Sequence, residues 1–429
     1  MHVVLLIGGM LVLTFLGMPL VLSMFTASLV TILVFRDAWP LELTAQYFAT
    51  GLMKYPLIAL GFFLLVGEWM NSGGITRRIV DFANSLVGHI RGGLAQANVV
   101  SSMLFAGISG SAVADTAALG SVLIPSMKKV GYGAGFAAAI TQTSAIIGPL
   151  IPPSIPMIIF AFLAEVSVGK MFVAGIVPGV LVGAGLMVAA YLISRHRQYP
   201  VEAEINPVLI GRTFVSAIPA LTAPLIIIGG ILGGVFTATE AGAVAAIYVF
   251  VIGKFVLREL SWTDAWTGVV RAATGTAQVL IILGSATLFA FLIAEFRVSS
   301  TIAVWMFTIS REPWAFLLML NVCLFIIGLF LENIPAMVIM VPIFYPIAID
   351  LGIDPIHFGI IVVMNTLIGL CTPPVGILIY MSANIAKVGP EVVIKESLPF
   401  VGVIVIVLLM VTYLPFLTLA LPDMVFPTR

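Results

Sequence analysis

The sequence predicts an all-α, polytopic membrane protein built from two inversely related halves, and three observations carry that expectation. Of its 429 residues 61% are hydrophobic and only 9% charged, with mean hydropathy +1.21, whereas about a quarter of residues are charged in soluble domains. A proline-broken apolar stretch, GPLIPPSIP at 148–156, returns as GLCTPPVG at 369–376. The loops ahead of the two breaks carry opposite charge, Lys128 and Lys129 in one and Asp350 and Asp354 in the other.

Proline lacks a backbone donor and clashes with the preceding turn, so a helix entering either stretch must break. Broken backbone at membrane depth is tolerated only when buried in protein or facing a watery cavity. Each break is therefore a candidate binding site, and a matching pair suggests a transporter with internal repeats. A shift of 221 residues carries Gly148 onto Gly369, Pro152 onto Pro373 and Pro153 onto Pro374. Without a gap it also carries Gly107 onto Gly328, Pro125 onto Pro346, Gly131 onto Gly352 and Pro178 onto Pro399. All seven positions hold glycine or proline, the residues that dictate backbone shape. Positive charge favours the cytoplasmic side, so the unlike loops place the halves in opposite orientations.

Residues 3–35 are apolar around Gly17-Met18-Pro19, enough for one tilted helix or two short crossings. A polar interval from Arg36 to Tyr55 precedes a span from Pro56 to about Met70. In the following segment Ile75, Ile79, Phe82, Leu86 and Ile90 recur at helical spacing opposite Arg77, Arg78 and Arg91, which predicts an amphipathic helix in the interface. Residues 94–127, rich in Ala, Gly and Ser around FAGISGSAVADTAALG, predict a re-entrant hairpin; 134–164 form the first broken helix, and Phe172–Ser194 a span. The loop from Arg195 to Arg212 divides the chain into halves at 1–211 and 212–429. The second half predicts spans near 214–235 and 241–257, a polar helix through Trp262, Trp266 and Arg271, and a span near 275–294. Phe296–Glu312 is expected at the interface, 314–345 as a second hairpin turning near LENIPA, 356–385 as the second broken helix, and Pro399–Leu417 as the last span. About ten crossings and two hairpins result. Arg77, Arg78, Arg91, Arg195, Arg197, Lys254, Arg258, Lys387 and Lys395 then fall inside, with Arg36, Arg297 and Arg311 as exceptions.

Composition excludes several functions. Lys plus Arg and Asp plus Glu number 19 each, so no basic field exists for nucleic acid. Gly169-Lys170 and Gly253-Lys254 lack the spacing and following hydroxyl of a phosphate-binding loop, so energy must come from an ion gradient or another chain. Cys323 and Cys371 sit far apart in apolar segments and predict neither disulfide nor zinc site. The N-terminus lacks a basic region and cleavage site, and is expected to be a membrane segment rather than a leader. An integral-membrane enzyme would need clustered acids, histidines or a metal constellation at one interface, a pattern this sequence does not display; no enzymatic activity and no resident cofactor are expected.

Hairpin tips and broken helices meet near the midplane in inverted-repeat transporters, where unwound carbonyls suit cations and helix N-termini suit anions. Ser109 and Ser111 offer hydroxyls beside Gly110, and carbonyls near Ala106, Gly148 and Ile151 complete an oxygen set; Gly328, Gly369, Thr372 and Val375 form its counterpart. Oxygen-only sets favour alkali cations, sodium first. Asp115 is the sole acid in residues 82–164, costly enough in a membrane hairpin to mark function, and Glu332-Asn333 sits at the turn of the second hairpin. Glu240 is expected to cap the helix after Thr237, while Trp262, Trp266, Trp305 and Trp314 are expected at the interface. His89, His196 and His357 fall at segment ends and are expected to be solvated.

SGSAVAD at 109–115, GPLIPPSIP and GLCTPPVG together resemble the large membrane subunit of the tripartite ATP-independent periplasmic (TRAP) transporters, the DctM-like proteins, across essentially the whole chain. The resemblance implies an ion-transporter-superfamily fold with a scaffold and a mobile elevator domain holding both hairpins and broken helices. It implies sodium-coupled uptake of an organic acid handed over by a periplasmic binding protein, beside a small four-helix (Q-type) membrane subunit, in the bacterial inner membrane. It further implies one sodium at Ala106, Ser109, Gly148, Ile151 and Pro153, another at Gly328, Gly369, Thr372 and Val375, and essential roles for Ser109, Ser111 and Asp115. A stand-alone sodium/dicarboxylate symporter of the same fold is the alternative.

Overall fold

The structure, a computed structural model, describes residues 2–35, 40–53, 56–201 and 205–426; Arg36 and Tyr55 lie outside them. The described residues form helices and connecting loops with no strand. Among the described residues six helices are long and apolar enough to cross a membrane, or up to eight if two bent pairs each count as one span.

Residues 3–35 resolve into Val4–Phe15 and Leu20–Val34, two short helices that turn at Gly17 and Pro19 and pack on each other. The polar interval contains a helix, Glu42–Leu52, which leads toward Pro56–Ser72. Ile75–Val87 is amphipathic as expected, but Ile75, Ile79 and Phe82 are buried against Gly93–Ser109 and Pro207–Leu232. Its apolar face serves protein packing rather than the lipid interface. The helix is pinned by Arg78, which meets Glu259 at 2.6 Å.

Gly93–Ser109 and Ala112–Lys129 turn at Gly110 and pack as a hairpin. Ala134–Ala145 and Ile155–Leu163 flank the first break, and Val168–His196 follows. The expected division at 211/212 falls inside Pro207–Leu232. That helix starts early because Asn206 Oδ1 accepts from the amides of Val208 and Leu209, both at 3.1 Å, an N-cap followed by the proline favoured in a first turn. Ala238–Val251 begins with a capping box: Glu240 Oε2 accepts from the Thr237 amide at 2.8 Å and Thr237 Oγ1 from the Glu240 amide at 3.3 Å.

The expected polar helix and span near 262–294 are one 34-residue helix, Trp262–Glu295. Thr274 and Thr276 return their hydroxyls to carbonyls one turn back, at 2.8 and 2.7 Å, so Thr-Gly-Thr satisfies itself without breaking the helix. Trp262, Trp266, Trp305 and Trp314 are exposed. Val298–Ile309 bends by 116° into Pro313–Gly328, which pairs with Asn333–Asp350. Pro355–Gly369 and Ile377–Ala386 flank the second break, and Pro390–Tyr413 and Phe416–Val425 close the chain.

Helix boundaries follow the 221-residue shift. Ala112–Lys129 coincides with Asn333–Asp350 at both ends, Ala134 starts a helix as Pro355 does, and Pro152-Pro153 and Pro373-Pro374 are both cis. Both hairpins end at a glycine in the left-handed region, Gly131 at φ +97° and Gly352 at φ +75°, a conformation that costs other residues more. The first halves of the broken helices form the centre: every residue from Gly135 to Ala145 and from Ile356 to Gly369 is buried.

Gly328 and Gly369 bring the second hairpin against its break. A Cβ on Gly369 would lie 2.8 Å from Gly328 Cα, whereas one on Gly402 would meet nothing within 4 Å. Gly369→Ala is expected to destabilise by about 1–3 kcal/mol, as overpacking does, and Gly402→Ala, within Pro390–Tyr413, to stabilise by about 0.5–1 kcal/mol through helix propensity. Thermal unfolding of the purified chain in detergent measures both.

Candidate transport site

The first hairpin tip is organised by Asp115, fully buried in the first turn of Ala112–Lys129. Ser109 Oγ donates to Asp115 Oδ1, and the Ser111 amide donates back to Ser109 Oγ at 3.2 Å. Asp115 Oδ2 has no hydrogen-bond partner. It sits against Gly148, where a Cβ would collide with it. Gly110 likewise abuts the break: a Cβ there would lie 2.6 Å from the Pro153 carbonyl oxygen. Ser109, Asp115, Gly148 and Pro153 thus meet at one junction. Ala106 is buried one turn before the tip, and the Ile151 side chain turns to Gly179. A buried carboxyl oxygen without a hydrogen-bond partner is a costly group, and this one lies against the backbone of the first break at Gly148.

The second junction is built from backbone. Gly328 touches Gly369, the Val375 amide donates to the Leu329 carbonyl at 3.2 Å, and the Gly376 amide to the Thr372 carbonyl at 3.1 Å. The Thr372 hydroxyl donates to the Ile368 carbonyl, leaving its lone pairs free. Gly328, Gly369, Thr372 and Val375 therefore share one place, as the sequence groups them. The position matching Asp115 is Ala336, and the acid of this tip is Glu332, four residues earlier.

Between the junctions lies a cavity of about 230 Å³. Ser111 and Ala112 line it from one tip, Glu332 and Asn333 from the other, Ile155 and Ile377 from the breaks, and Gln278 from Trp262–Glu295. Four helices, Ala112–Lys129, Ile155–Leu163, Asn333–Asp350 and Ile377–Ala386, thus begin at its wall. Helix N-termini carry a partial positive charge, while Glu332 is the one ionisable side chain among the described residues that line the cavity and no Lys or Arg is among them. Asn333 is held by Thr366, whose hydroxyl donates to Asn333 Oδ1 at 3.0 Å, while Glu332 is exposed.

Sequence reasoning passed over Gln278, a lone amide in an apolar run, and the polar clasps behind the tips. Asn98 Nδ2 donates to Thr141 Oγ1 at 2.6 Å, and Ser144 Oγ to Asn98 Oδ1 at 3.2 Å. In the other half Asn365 Nδ2 donates to Asn321 Oδ1 at 2.8 Å, and Asn321 Nδ2 to Thr412 Oγ1 at 3.1 Å. Ser144 and Asn365 coincide at the 221-residue shift. His357, expected to be solvated, is buried, its ring nitrogens meeting the Thr418 hydroxyl at 2.8 Å and the Thr412 carbonyl at 3.2 Å. The helix Phe416–Val425, unforeseen in the sequence, covers it. His196 is exposed and His89 half-buried.

Two helix breaks and two hairpin tips closing on one cavity inside an apolar helical body define a multi-pass membrane transport protein. The crystal structure of the Alcanivorax borkumensis YdaH transporter shares this fold, with a TM-score of 0.64 and 16% identity over 90% of each chain. The chain belongs to the DctM family, the DctM component of tripartite ATP-independent periplasmic transporters, which it matches over residues 7–417. It is 42% identical to the C4-dicarboxylate TRAP transporter large permease protein DctM of Pseudomonas aeruginosa, covering 92% of each chain. It is 37% identical to the sialic acid TRAP transporter large permease protein SiaM of Vibrio cholerae, covering 97% of this chain and 98% of that one.

Ser109→Ala leaves the buried Asp115 carboxylate without its hydroxyl donor and is expected to cost about 1.5–3 kcal/mol, the range for a hydrogen bond to a charged group. The same change in an Asp115→Asn background is expected to cost less. A coupling below about 0.5 kcal/mol, the scale of independent sites, measured by unfolding all four variants, would contradict this account of the pair.

Proposed function

We propose that this chain is the permease of a sodium-coupled tripartite system that takes up an organic acid across the bacterial inner membrane. The observation that carries the reading is the central cavity, where four helix N-termini meet between two oxygen-lined junctions. A carboxylate seated there is stabilised by tip amides and dipoles rather than by a fixed arginine. Sodium ions at Ala106, Ser109, Gly148, Ile151 and Pro153, with Asp115 behind them, and at Gly328, Gly369, Thr372 and Val375 fix the two tips, and with them Ser111, Glu332 and Asn333. Emptying either site loosens one wall of the substrate cavity, which is the physical basis of coupling.

The repeating helix boundaries support a reading of the chain as two inverted repeats with about ten crossings, the division falling in the 197–206 link. Both hairpins and both broken helices form the moving body. Lys128 Nζ on the first hairpin donates to the Ala386 carbonyl of the second broken helix at 2.6 Å, a tie between halves that suits motion as a unit. The remaining helices are the scaffold of an elevator. A periplasmic binding protein delivers the acid, and a small Q-type membrane subunit stands alongside.

Proteoliposomes holding this chain, its small subunit and the loaded receptor are expected to accumulate the acid only under an inward sodium gradient, and Ser109→Ala with Asp115→Ala to abolish uptake. Uptake unchanged when potassium replaces sodium would overturn the coupling. Uptake that needs no receptor would replace the tripartite reading with that of a stand-alone symporter.

A further inference from the structure

Trp262–Glu295 is the longest of the described helices, and beyond Thr276 it carries three uncharged polar side chains, Gln278, Ser285 and Thr287. Thr287 returns its hydroxyl to the Leu283 carbonyl at 2.9 Å, and Ser285 is buried. Gln278 is exposed near the middle of the helix and has no hydrogen-bond partner among the described residues. A free amide at membrane depth is costly and is kept where it faces a watery cavity. Gln278 does face one: with Gly275 and Val279 it forms the stripe by which this helix lines the central cavity.

Leu64, Gly275 and Val279 make the rest of that wall apolar, so Gln278 is its one polar side chain. The hairpin tips supply the other walls, with Ser111 on one and Glu332 and Asn333 on the other. The Thr366 hydroxyl occupies Asn333 Oδ1 and leaves Asn333 Nδ2 without a partner among the described residues. An amide such as Gln278 both donates and accepts. A carboxylate would leave its oxygen unpaired, an ammonium its nitrogen, and an alkyl group both. A hydroxyl, which gives one hydrogen bond and takes others, suits the amide whichever atom faces it.

We infer that Gln278 is a specificity-determining residue of this permease: from the scaffold wall it pairs with a hydroxyl of a hydroxylated carboxylic acid whose carboxylate lies at the hairpin tips. This inference rests on the transport reading above. An acid lacking the hydroxyl binds less well because it leaves the amide unpaired in the closed cavity. In the proposed cycle Trp262–Glu295 stays fixed while the tips move, so the bond forms only while the cavity stands beside Gln278. The hydroxyl therefore favours one position of the moving body over the other.

The test uses the purified full-length chain in detergent with sodium, and acids paired to differ by one hydroxyl: malate with succinate, lactate with propionate, and gluconate with 2-deoxygluconate. Each is titrated while thermal unfolding is followed, which gives a half-stabilising concentration. The hydroxylated member of a pair that binds is expected to act at a concentration about 3–10-fold lower, the worth of one neutral hydrogen bond. Gln278→Met keeps the length of the side chain without its amide; it is expected to bring the ratio to about one by weakening the hydroxylated acid alone. Gln278→Leu is the second replacement, used if the methionine variant does not fold. Thr274→Val, one turn earlier with its hydroxyl engaged by the Val270 carbonyl, is expected to keep the ratio. A ratio that survives loss of the amide, a ratio of about one in the unaltered chain, or stabilisation by none of the six acids would overturn the assignment. Uptake indifferent to sodium would sink the coupled-transport reading and leave the hydroxyl preference of the purified chain in place, so the two failures are distinguishable.

Discussion

The constraint on which this structure depends is that backbone polar groups inside a membrane must be satisfied by protein or by enclosed water. Helix breaks at 148–156 and 369–376 violate it locally, and the surrounding architecture answers them. The first break is covered by a hairpin tip whose Gly110 lies against the Pro153 carbonyl, the second by a tip whose Leu329 carbonyl accepts from Val375. Each tip needs its break and each break needs its tip. The cavity is the volume left where the two solutions meet, and for that reason helix N-termini surround it.

Holding uncharged but polar helices together in an apolar interior needs a second device. Asn98 with Thr141 and Ser144 in one half, and Asn321 with Asn365 in the other, clasp the first arm of each hairpin to the broken helix behind it. Such bonds in membrane interiors contribute modestly, about 0.6 kcal/mol on average, yet their geometry is directional. They fix the register of each tip over its break, which hydrophobic packing alone would leave free to slide.

Much of this was legible in the sequence because glycine and proline act locally. The breaks, the hairpin turns and the gapless shift could be read from residues whose backbone preferences need no neighbours. Misreadings came where tertiary contacts decide. The helix Ile75–Val87 has the pattern of an interfacial helix, and only the fold shows its apolar face taken by Gly93–Ser109 and Pro207–Leu232. His357 sits near a helix start, as a solvated residue would, but a following helix buries it. A polar helix through Trp262, Trp266 and Arg271 and a span near 275–294 were expected as separate elements, whereas Thr274 and Thr276 bond their hydroxyls to the previous turn and Trp262–Glu295 runs on as one helix. Gln278 carries no local signal beyond being the lone amide there, and its place at the cavity follows from the path of a 34-residue helix.

The pairing of Asp115 with Ala336 at matched positions makes the junctions chemically unequal. The first tip reaches its break through a side chain, Asp115 lying against Gly148, while the second meets its break through backbone alone, Gly328 on Gly369 and Leu329 with Val375. One side-chain substitution can therefore alter the first contact and has no counterpart in the second, so two halves with one backbone plan answer differently to changes at matched positions.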